Sequence, residues 1–335
     1  MSAEPEELGG EGTTRPNRVG RVLRVDAKVV HVDLDGTTVQ ASPRGSLFEI
    51  RGEQKNPITV GDFVEVGFDG DPIPVECVLP RRNYLGRVAS AHDPREQVLV
   101  SNVDQMFIIA SLSRPGFSSN RTDRILAACN WHEIPVVLVL NKLDLAKEGE
   151  VEAITKTYER IPIQVISSCA IDGRGLNIIA DRMKNKVSVF YGPSGAGKST
   201  LLNHIQPGLN IKEGKISKYW KQGRHTTSYS YLHPLKMGGY AIDTPGIRAF
   251  RLFDVSGSEL RDLFPEFQKF QGDCHYVNCS HDHEPICGIA NAVENGTFAQ
   301  SRYASYLDML DEARPDMAYD PDDVVMGETE AEPDA

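Results

Sequence analysis

A glycine-rich phosphate loop lies in the middle of this 335-residue chain, although such a loop usually opens the domain that contains it. Two motifs that ordinarily follow the loop come before it, and two others come after it. In chain order the five motifs are Asn141-Lys142-Leu143-Asp144, Ser167-Ser168-Cys169-Ala170, Gly192-Pro193-Ser194-Gly195-Ala196-Gly197-Lys198-Ser199, Thr226-Thr227 and Asp243-Thr244-Pro245-Gly246. This rotated order predicts a circularly permuted nucleotide-binding domain, which the chain enters and leaves at unusual places.

The phosphate loop fits the pattern G-x-x-x-x-G-K-[ST] completely. An apolar predicted strand, residues 187–191, precedes it, and Thr200 opens a predicted helix after it. Glycines let backbone N–H groups turn toward the phosphates, and the helix N-terminus adds a favourable dipole. We expect Lys198 to reach the β- and γ-phosphates and Ser199 to ligate Mg²⁺.

The Asn-Lys-Leu-Asp motif predicts a guanine site. Asp144 can accept from both N1–H and the 2-amino group of guanine, whereas adenine lacks this donor pair and would leave the carboxylate unpaired. Asn141 can contact the Hoogsteen edge, the Lys142 stem can cover the ring, and the N–H groups of Cys169 and Ala170 can donate to O6. The predicted nucleotide-binding residues are Asn141, Lys142, Leu143, Asp144, Ser168, Cys169, Ala170, Gly192, Pro193, Ser194, Gly195, Ala196, Gly197, Lys198, Ser199, Thr200, Asp243 and Gly246.

The last two motifs predict the catalytic residues. Asp243 ends a predicted strand, as an acid that orients Mg²⁺ and its water should, and the Gly246 N–H can meet the γ-phosphate. Many GTPases place a glutamine directly after this glycine to orient the attacking water; Ile247 cannot do so, and we therefore expect slow intrinsic hydrolysis. His225 can enter the site, although an ordinary solvent-facing histidine fits the sequence equally well. The predicted catalytic residues are His225, Lys198, Asp243, Thr226 and Thr227.

The formal net charge of -11 is placed unevenly along the chain. Residues 1–15 and 316–335 together hold 12 acids and one base, which leaves 35 acids and 35 bases between them. The acidity therefore lies in two predicted disordered tails, residues 1–16 and 314–335. By contrast, residues 211–225 hold five bases, one acid, Tyr219 and Trp220, a composition that suits RNA contact; a solvated loop attracted to the nucleotide phosphates is the alternative.

Three folded units are predicted between the tails. Residues 17–80 contain five short β-branched strands, which favour a small barrel of the oligonucleotide-binding (OB) type, although a β-rich spacer without a ligand fits the strands equally well. A polar connection is expected over residues 81–95. Alternating strands and helices over residues 95–252 predict a doubly wound α/β domain, and residues 253–313 a helical metal-binding domain.

A cluster of cysteine and histidine residues predicts one structural zinc ion. Cys274, Cys279, His281 and Cys287 supply three thiolates and one imidazole, a tetrahedral set with no position open for catalysis. Disulfide bonds are the alternative reading, disfavoured because the remaining three cysteines are isolated. The acidic N-terminus is unlike a signal peptide and no apolar run has the length of a membrane span, so we expect a cytoplasmic protein without a membrane partner.

Over residues 17–312 the chain resembles the ribosome-small-subunit-dependent GTPases, circularly permuted bacterial assembly factors. The resemblance rests on the barrel, Leu79-Pro80-Arg81-Arg82, Asn102-Val103-Asp104-Gln105, the rotated motifs, Gly223-Arg224-His225-Thr226-Thr227 and the Cys/Cys/His/Cys spacing. It implies an OB-type barrel, a GTPase domain and a zinc domain, with late maturation of the small ribosomal subunit as the function and stimulation of hydrolysis by that subunit. It also implies a water-positioning role for His225. Cys169 departs from the family pattern, and the acidic tail has no family role.

Two hypotheses of function follow. In the first, a monomeric GTPase binds GTP and GDP, contacts the 16S rRNA of the small (30S) subunit, and times its release by hydrolysis. In the second, an RNA-binding scaffold uses GTP as a structural ligand with little turnover. Lys198, Ser199 and Asp243 favour the first, whereas Ile247 leaves the second open.

Overall fold

The structure is a computed structural model that describes residues 17–26, 29–49, 54–90, 93–209, 211, 231–243, 252 and 254–313. The predicted disordered tails, the basic segment 212–225, Thr226-Thr227 and Thr244 to Gly246 lie outside the described residues. Among the residues that are described, no helix combines the length and the apolar character that crossing a membrane requires.

The N-terminal unit is a closed five-stranded barrel with the strand order β1-β2-β3-β5-β4. All neighbouring strands are antiparallel except β3 and β5, which are parallel. Burial alternates along β2, as the two-residue period of a half-buried strand requires, and valines from every strand except β3 fill the interior. The elements are β1 (Arg18–Asp26), β2 (Val29–Leu34), β3 (Thr37–Pro43), α1 (Ser46–Glu49), β4 (Phe63–Val66) and β5 (Ile73–Val78).

The polar connection expected over residues 81–95 is wrong, because a β-hairpin begins there. It consists of β6 (Tyr84–Ser90) and β7 (Asp93–Ser101), paired antiparallel with Leu85 opposite Val100. Leu85, Val98 and Val100 are buried, while the charged residues Arg87, Asp93, Arg95 and Glu96 lie nearer the other end of the hairpin and gave the segment its polar composition.

The central unit contains a six-stranded sheet with the order β10-β9-β8-β11-β13-β12. The strands are parallel except for edge strand β12, and two apolar clusters lie in this unit. All seven residues of β8 are buried, as is typical of a parallel strand covered on both faces. The elements are β8 (Gln105–Ser111), α2 (Ser119–Trp131), β9 (Val136–Asn141), α3 (Glu150–Tyr158), β10 (Gln164–Ser168), α4 (Leu176–Met183), β11 (Lys186–Tyr191), α5 (Lys198–Ile205), β12 (Tyr231–Pro234) and β13 (Gly239–Asp243).

The C-terminal unit is built from short helices around a cluster of aromatic rings. Phe264, Phe267 and Tyr306 are almost completely buried and contact one another with ring centroids 4.8–5.4 Å apart. Its helices are α6 (Gly257–Leu260), α7 (Gly288–Glu294) and α8 (Gln300–Ala313), with 3-10 turns at Arg261–Leu263, Pro265–Lys269 and Gln271–Asp273. One face of α8 buries Tyr306, Met309 and Leu310, and the same face includes the buried Arg302.

Candidate functional site

The phosphate loop joins β11 to α5, so its backbone lies at the carboxyl edge of the parallel sheet. Gly197 has φ +95°, and a side-chain carbon added to it would collide with the amide of Asn141, so only glycine fits this position. The ammonium of Lys198 donates to the carbonyls of Gly192 (2.7 Å) and Pro193 (3.2 Å). Lys198 therefore lies across the loop that is expected to hold the phosphates.

The side chain of Asn141 joins three of the predicted motifs. It is the last residue of β9, only 1% exposed, and lies in register with Ser168 of β10. Its Nδ2 donates to the Ala196 carbonyl in the phosphate loop at 2.8 Å, and its Oδ1 accepts from the Ser168 hydroxyl at 3.1 Å. The base-recognition motifs and the phosphate loop, separated by up to 55 residues, therefore form one hydrogen-bonded unit.

Lys142 is fixed by a loop that sequence reasoning missed. Its backbone is left-handed (φ +66°), and its ammonium donates to the carbonyls of Ser113 and Arg114, both at 2.9 Å. Partial burial lowers the pKa of Lys142, while the nearby Asp144 opposes that effect. The loop after β8 is thus part of the site; only its position after a buried strand signalled this, since backbone acceptors have no side-chain signature.

Asp144 and Cys169 are in direct contact. The Cys169 thiol donates to Asp144 Oδ1 at 3.1 Å, which holds the exposed carboxylate against the loop after β10. The Cys169 N–H, predicted to donate to guanine O6, instead donates to the Arg174 carbonyl at 3.0 Å. The Ala170 N–H therefore remains as the predicted donor to guanine O6.

Of the predicted catalytic residues, the structure describes Lys198 in the phosphate loop and the backbone of Asp243 at the end of β13. The Asp243 backbone lies in register with Phe190 of β11 and with Tyr231 of β12. Because Phe190 is two residues before Gly192, Asp243 is placed beside the start of the phosphate loop. His225, Thr226, Thr227 and Gly246 lie outside the described residues, and their predicted roles stay predictions.

The predicted metal ligands converge in the C-terminal unit. The ligand atoms of Cys274, Cys279, His281 and Cys287 are buried and lie within 4.8 Å of one another. All four are close enough for a single ion, with His281 Nδ1 3.6 Å from the Cys274 sulfur and 3.5 Å from the Cys287 sulfur. The cysteines are free, which excludes the disulfide alternative among these residues. A soft thiolate set with one imidazole fits a tetrahedral zinc ion.

Neighbouring groups prepare this cluster for a cation. The N–H groups of Gly288 and Ala290 point at the sulfurs of Cys274 (3.3 Å) and Cys287 (3.4 Å), contacts that favour the thiolate form. Two tyrosines of α8 hold the ligand loop through its carbonyls, Tyr303 at His281 (2.6 Å) and Tyr306 at Ser280 (2.7 Å). The fold therefore orients the ligands from outside the cluster as well as through the chain.

Comparison with known proteins decides the family. A family model described as RsgA GTPase matches residues 78–253. A Bacteroides thetaiotaomicron protein named small ribosomal subunit biogenesis GTPase RsgA 2 is 36% identical over 283 residues, which cover 83% of this chain and 91% of the relative. A Caldanaerobacter subterraneus protein named small ribosomal subunit biogenesis GTPase RsgA is 34% identical, with 88% and 95% covered. The chain belongs to the RsgA GTPase family.

Two solved structures of similar proteins agree with this family in fold. YjeQ from Thermotoga maritima is 31% identical with a TM-score of 0.70, covering 89% of this chain and 99% of that one. YloQ, described as a circularly permuted GTPase, is 26% identical with a TM-score of 0.66, covering 93% and 100%. The predicted fold class is confirmed, and family membership makes this chain a GTP-hydrolysing enzyme that uses Mg²⁺ with its nucleotide.

Proposed function

We propose that this GTPase is a late maturation factor of the small ribosomal subunit, that the subunit stimulates its hydrolysis of GTP, and that hydrolysis times its release. The observation that carries the proposal is the Asn141 amide, which bonds the base-recognition motifs to the phosphate loop and so makes one guanine-nucleotide site from permuted parts. The relatives' names as small-subunit biogenesis GTPases supply the partner.

Within the site, Asp144 selects guanine by accepting hydrogen bonds from the N1–H and 2-amino groups of the base. The Cys169 thiol orients the Asp144 carboxylate. The Ala170 N–H contacts O6, and the Lys142 stem covers the ring. Lys198 neutralises the β- and γ-phosphates once they take the place of the two loop carbonyls. Ser199 would hold Mg²⁺ and Asp243 would orient it; the bound ion would supply positive charge where negative charge develops during phosphoryl transfer to water.

Turnover depends on residues of this chain that act when it is bound to the small subunit. Ile247 cannot orient water, so His225, beside Thr226 and Thr227, takes that role when the protein is bound to the subunit. The five bases of residues 211–225, with Tyr219 and Trp220, contact 16S rRNA through phosphates and stacked bases. The protein acts as a monomer in the cytoplasm, and its zinc ion is structural.

The scaffold alternative is favoured by one observation, the absence of a glutamine at position 247. GTP hydrolysis measured with and without purified small subunits separates the two functions. We expect the subunits to raise kcat by at least about a hundredfold in the wild type and to do so far less in His225→Ala, since completing a GTPase site on partner binding gives effects of this order or larger. Equal rates with and without subunits would leave the scaffold as the function.

Base recognition has a separate test with a matched control. Asp144→Asn should weaken GTP binding and favour xanthosine triphosphate, whose 2-oxo group complements the new amide. Asp181→Asn is the control, because Asp181 is an exposed carboxylate on α4 that pairs with Lys184. Titration with labelled nucleotides should show altered base preference in Asp144→Asn alone; unchanged GTP affinity there would remove Asp144 from the base site.

A further inference from the structure

The barrel contacts the GTPase domain at the strand that ends in Asp243. The hydroxyl of Tyr240, the second residue of β13, donates to Asp33 Oδ2 of barrel strand β2 at 3.0 Å. The other oxygen of Asp33 accepts from the N–H of Gly36 at 2.8 Å, in the turn between β2 and β3. The carboxylate that receives the tyrosine is therefore held by the barrel backbone.

The barrel also holds the ring of Tyr240. Arg21 of β1 lies opposite Asp33 in the barrel register, and its guanidinium lies 4.5 Å from the centroid of Phe63 and 5.4 Å from that of Tyr240. A guanidinium between two aromatic rings makes cation–π contacts with both. Tyr240 is thus held through its ring and its hydroxyl by residues from two adjacent barrel strands.

Strand β13 is suited to transmit a displacement. Tyr240 is paired in register with Val187 of β11 on one side and with Pro234 of β12 on the other. Asp243 lies three positions further along the strand, about 10 Å of extended chain. Strand β11, the neighbour on one side, leads directly into the phosphate loop. A shift of Tyr240 along the strand therefore reaches Asp243 without passing through a loop.

We propose that Tyr240 is a positioning residue through which the barrel sets the placement of Asp243 during hydrolysis. This rests on the proposed function in one respect: the subunit changes the position of the barrel relative to the sheet. When the barrel is fixed on the subunit, the Tyr240–Asp33 bond fixes β13, and Asp243 is held where Mg²⁺ and its water require it. By reciprocity, the nucleotide bound beside Asp243 changes the protection of the barrel strand that carries Asp33.

A purely structural role for Tyr240 makes a different prediction. Phenylalanine keeps the ring, and with it the cation–π contact and the packing, and loses only the hydroxyl. If Tyr240 merely fills the interface, Tyr240→Phe leaves communication between barrel and nucleotide intact. If the hydroxyl positions the strand, the communication is lost although the fold is retained.

Hydrogen exchange on the free full-length protein tests the proposal independently of the subunit. In the wild type, residues 29–34 should exchange at least about fivefold more slowly with a non-hydrolysable GTP analogue than with GDP, the lower end of usual coupling between sites. Tyr240→Phe and Asp33→Ala should both abolish that difference, and the double variant should lose no more than either alone. Asp33→Asn should retain it, because the amide still bonds the hydroxyl.

The control is Asp35→Asn, which removes the exposed ion pair with Arg18 two residues from Asp33 and suits the left-handed backbone of position 35. It should behave as wild type. A second measurement is the ratio of subunit-stimulated to basal kcat, expected to fall by about fivefold or more in Tyr240→Phe. No nucleotide dependence in wild-type exchange, or full dependence in Tyr240→Phe, overturns the inference. Absence of stimulation in the wild type overturns the proposed function alone, since the exchange experiment needs no subunit.

Discussion

The GTPase domain is joined to its two neighbours through buried aspartate–arginine pairs that differ in how fully they are hydrogen-bonded. On the barrel side, the fully buried Asp62 accepts from Arg81 Nε (2.7 Å) and Nη2 (2.8 Å). It also accepts from the Ser101 hydroxyl (2.6 Å) and the Thr59 N–H (2.8 Å). Both carboxylate oxygens are bonded, so the charge loses little by being buried.

At the junction with the C-terminal unit, one guanidinium contacts two carboxylates. Arg302 of α8 donates to Glu266 at 2.7 Å, and its Nη1 lies 2.8 Å from Asp123 of α2, close but poorly aligned for a hydrogen bond. The Tyr158 hydroxyl also donates to Asp123, at 2.7 Å. Asp123 Oδ2 and Glu266 Oε2 are buried without a hydrogen bond among the described residues, and burial raises the pKa of Asp123.

The difference indicates different roles for the two junctions. A fully bonded buried pair stabilises the connection between the barrel and the hairpin that follows it. An incompletely bonded buried pair contributes little net stability and is costly to break on one side, so it specifies where α8 docks on α2. Exposed contacts on the same helices, Arg124 with Glu312 and Asn120 with Asp308, point to the same docking position.

The largest expected effect comes from removing the metal. Cys279→Ser/Cys287→Ser should lose the zinc ion and with it metal-binding energy on the order of 10 kcal/mol, which folds small zinc modules. Cys77→Ser, on barrel strand β5, is the control. Elemental analysis should find about one zinc per chain in wild type and control, as expected for one four-ligand site, and none in the double variant.

Hydrogen exchange should place the damage of the double variant in residues 274–306 and in the contact of α8 with α2. The Asp62 junction should keep its protection, because it has no part in the metal cluster. Full zinc content in the double variant would contradict the site.

Next in size is the loss of Arg302. Arg302→Met leaves two carboxylates buried without a cation, which should destabilise docking of the zinc module by about 3–5 kcal/mol. The matched variant Asp123→Asn/Glu266→Gln/Arg302→Met removes all three charges and keeps an acceptor for Tyr158, so it should recover most of that loss. Denaturant unfolding followed at Trp131, partly buried against this module, measures both. If the triple variant is as unstable as Arg302→Met, the three charged groups together make a net stabilising contribution, contrary to this prediction.

A smaller effect is expected at the barrel junction. Asp62→Asn keeps the shape and some hydrogen bonds but leaves the buried Arg81 without its counter-charge, at a cost of about 2–3 kcal/mol. Asp69→Asn, on an exposed loop of the same barrel, should lie within about 0.5 kcal/mol of wild type. Exchange rates in β4 and β7 report the difference. Equal rates in the two variants would mean that Asp62 does not hold the junction.

Sequence reasoning worked best where a single physical pattern dominates. Alternating strands and helices predicted the α/β domain because buried parallel strands such as β8 are continuously apolar. The ligand spacing from Cys274 to Cys287 predicted the cluster because its ligands are close together in the sequence. The motif order predicted the permuted domain, and the four motifs that the structure describes in whole or in part all begin at the end of a parallel strand, at the same sheet edge.

Sequence reasoning failed where a residue's contacts are made with a side chain distant in the sequence or with a backbone group. The hairpin of β6 and β7 was missed because its four charged residues gave it a polar composition, which hid the burial of Leu85 and Val100. Arg302 reads as a solvent-facing charge until Asp123, 179 residues earlier, is placed beside it. The donation of the Cys169 N–H to Arg174 depends on loop conformation, for which its side chains give no signal.

The smallest expected effect lies where the two junctions meet. His132 caps the C-terminus of α2, the helix on which α8 of the C-terminal unit docks. Its ring lies 4.6 Å from that of Tyr84, and its Nε2 accepts from the Gly86 N–H at 3.4 Å, both in the hairpin that continues from Arg81. Burial lowers the pKa of His132 from 6.5 to about 4.

Between these two pH values His132 is protonated in the unfolded chain and neutral in the folded chain. The free energy of unfolding should therefore fall as the pH is lowered from about 6.5 to about 4. Above pH 6.5 the group contributes no pH dependence. Because the ring is only half-buried, we expect a loss of about 1–2 kcal/mol rather than the full value of the shift. His132→Gln keeps an acceptor for Gly86 and does not titrate, so its stability should be flatter over this range. Denaturant unfolding of both proteins at several pH values measures the difference; parallel curves would mean that His132 is free to protonate in the folded state and that the hairpin does not seal the end of α2.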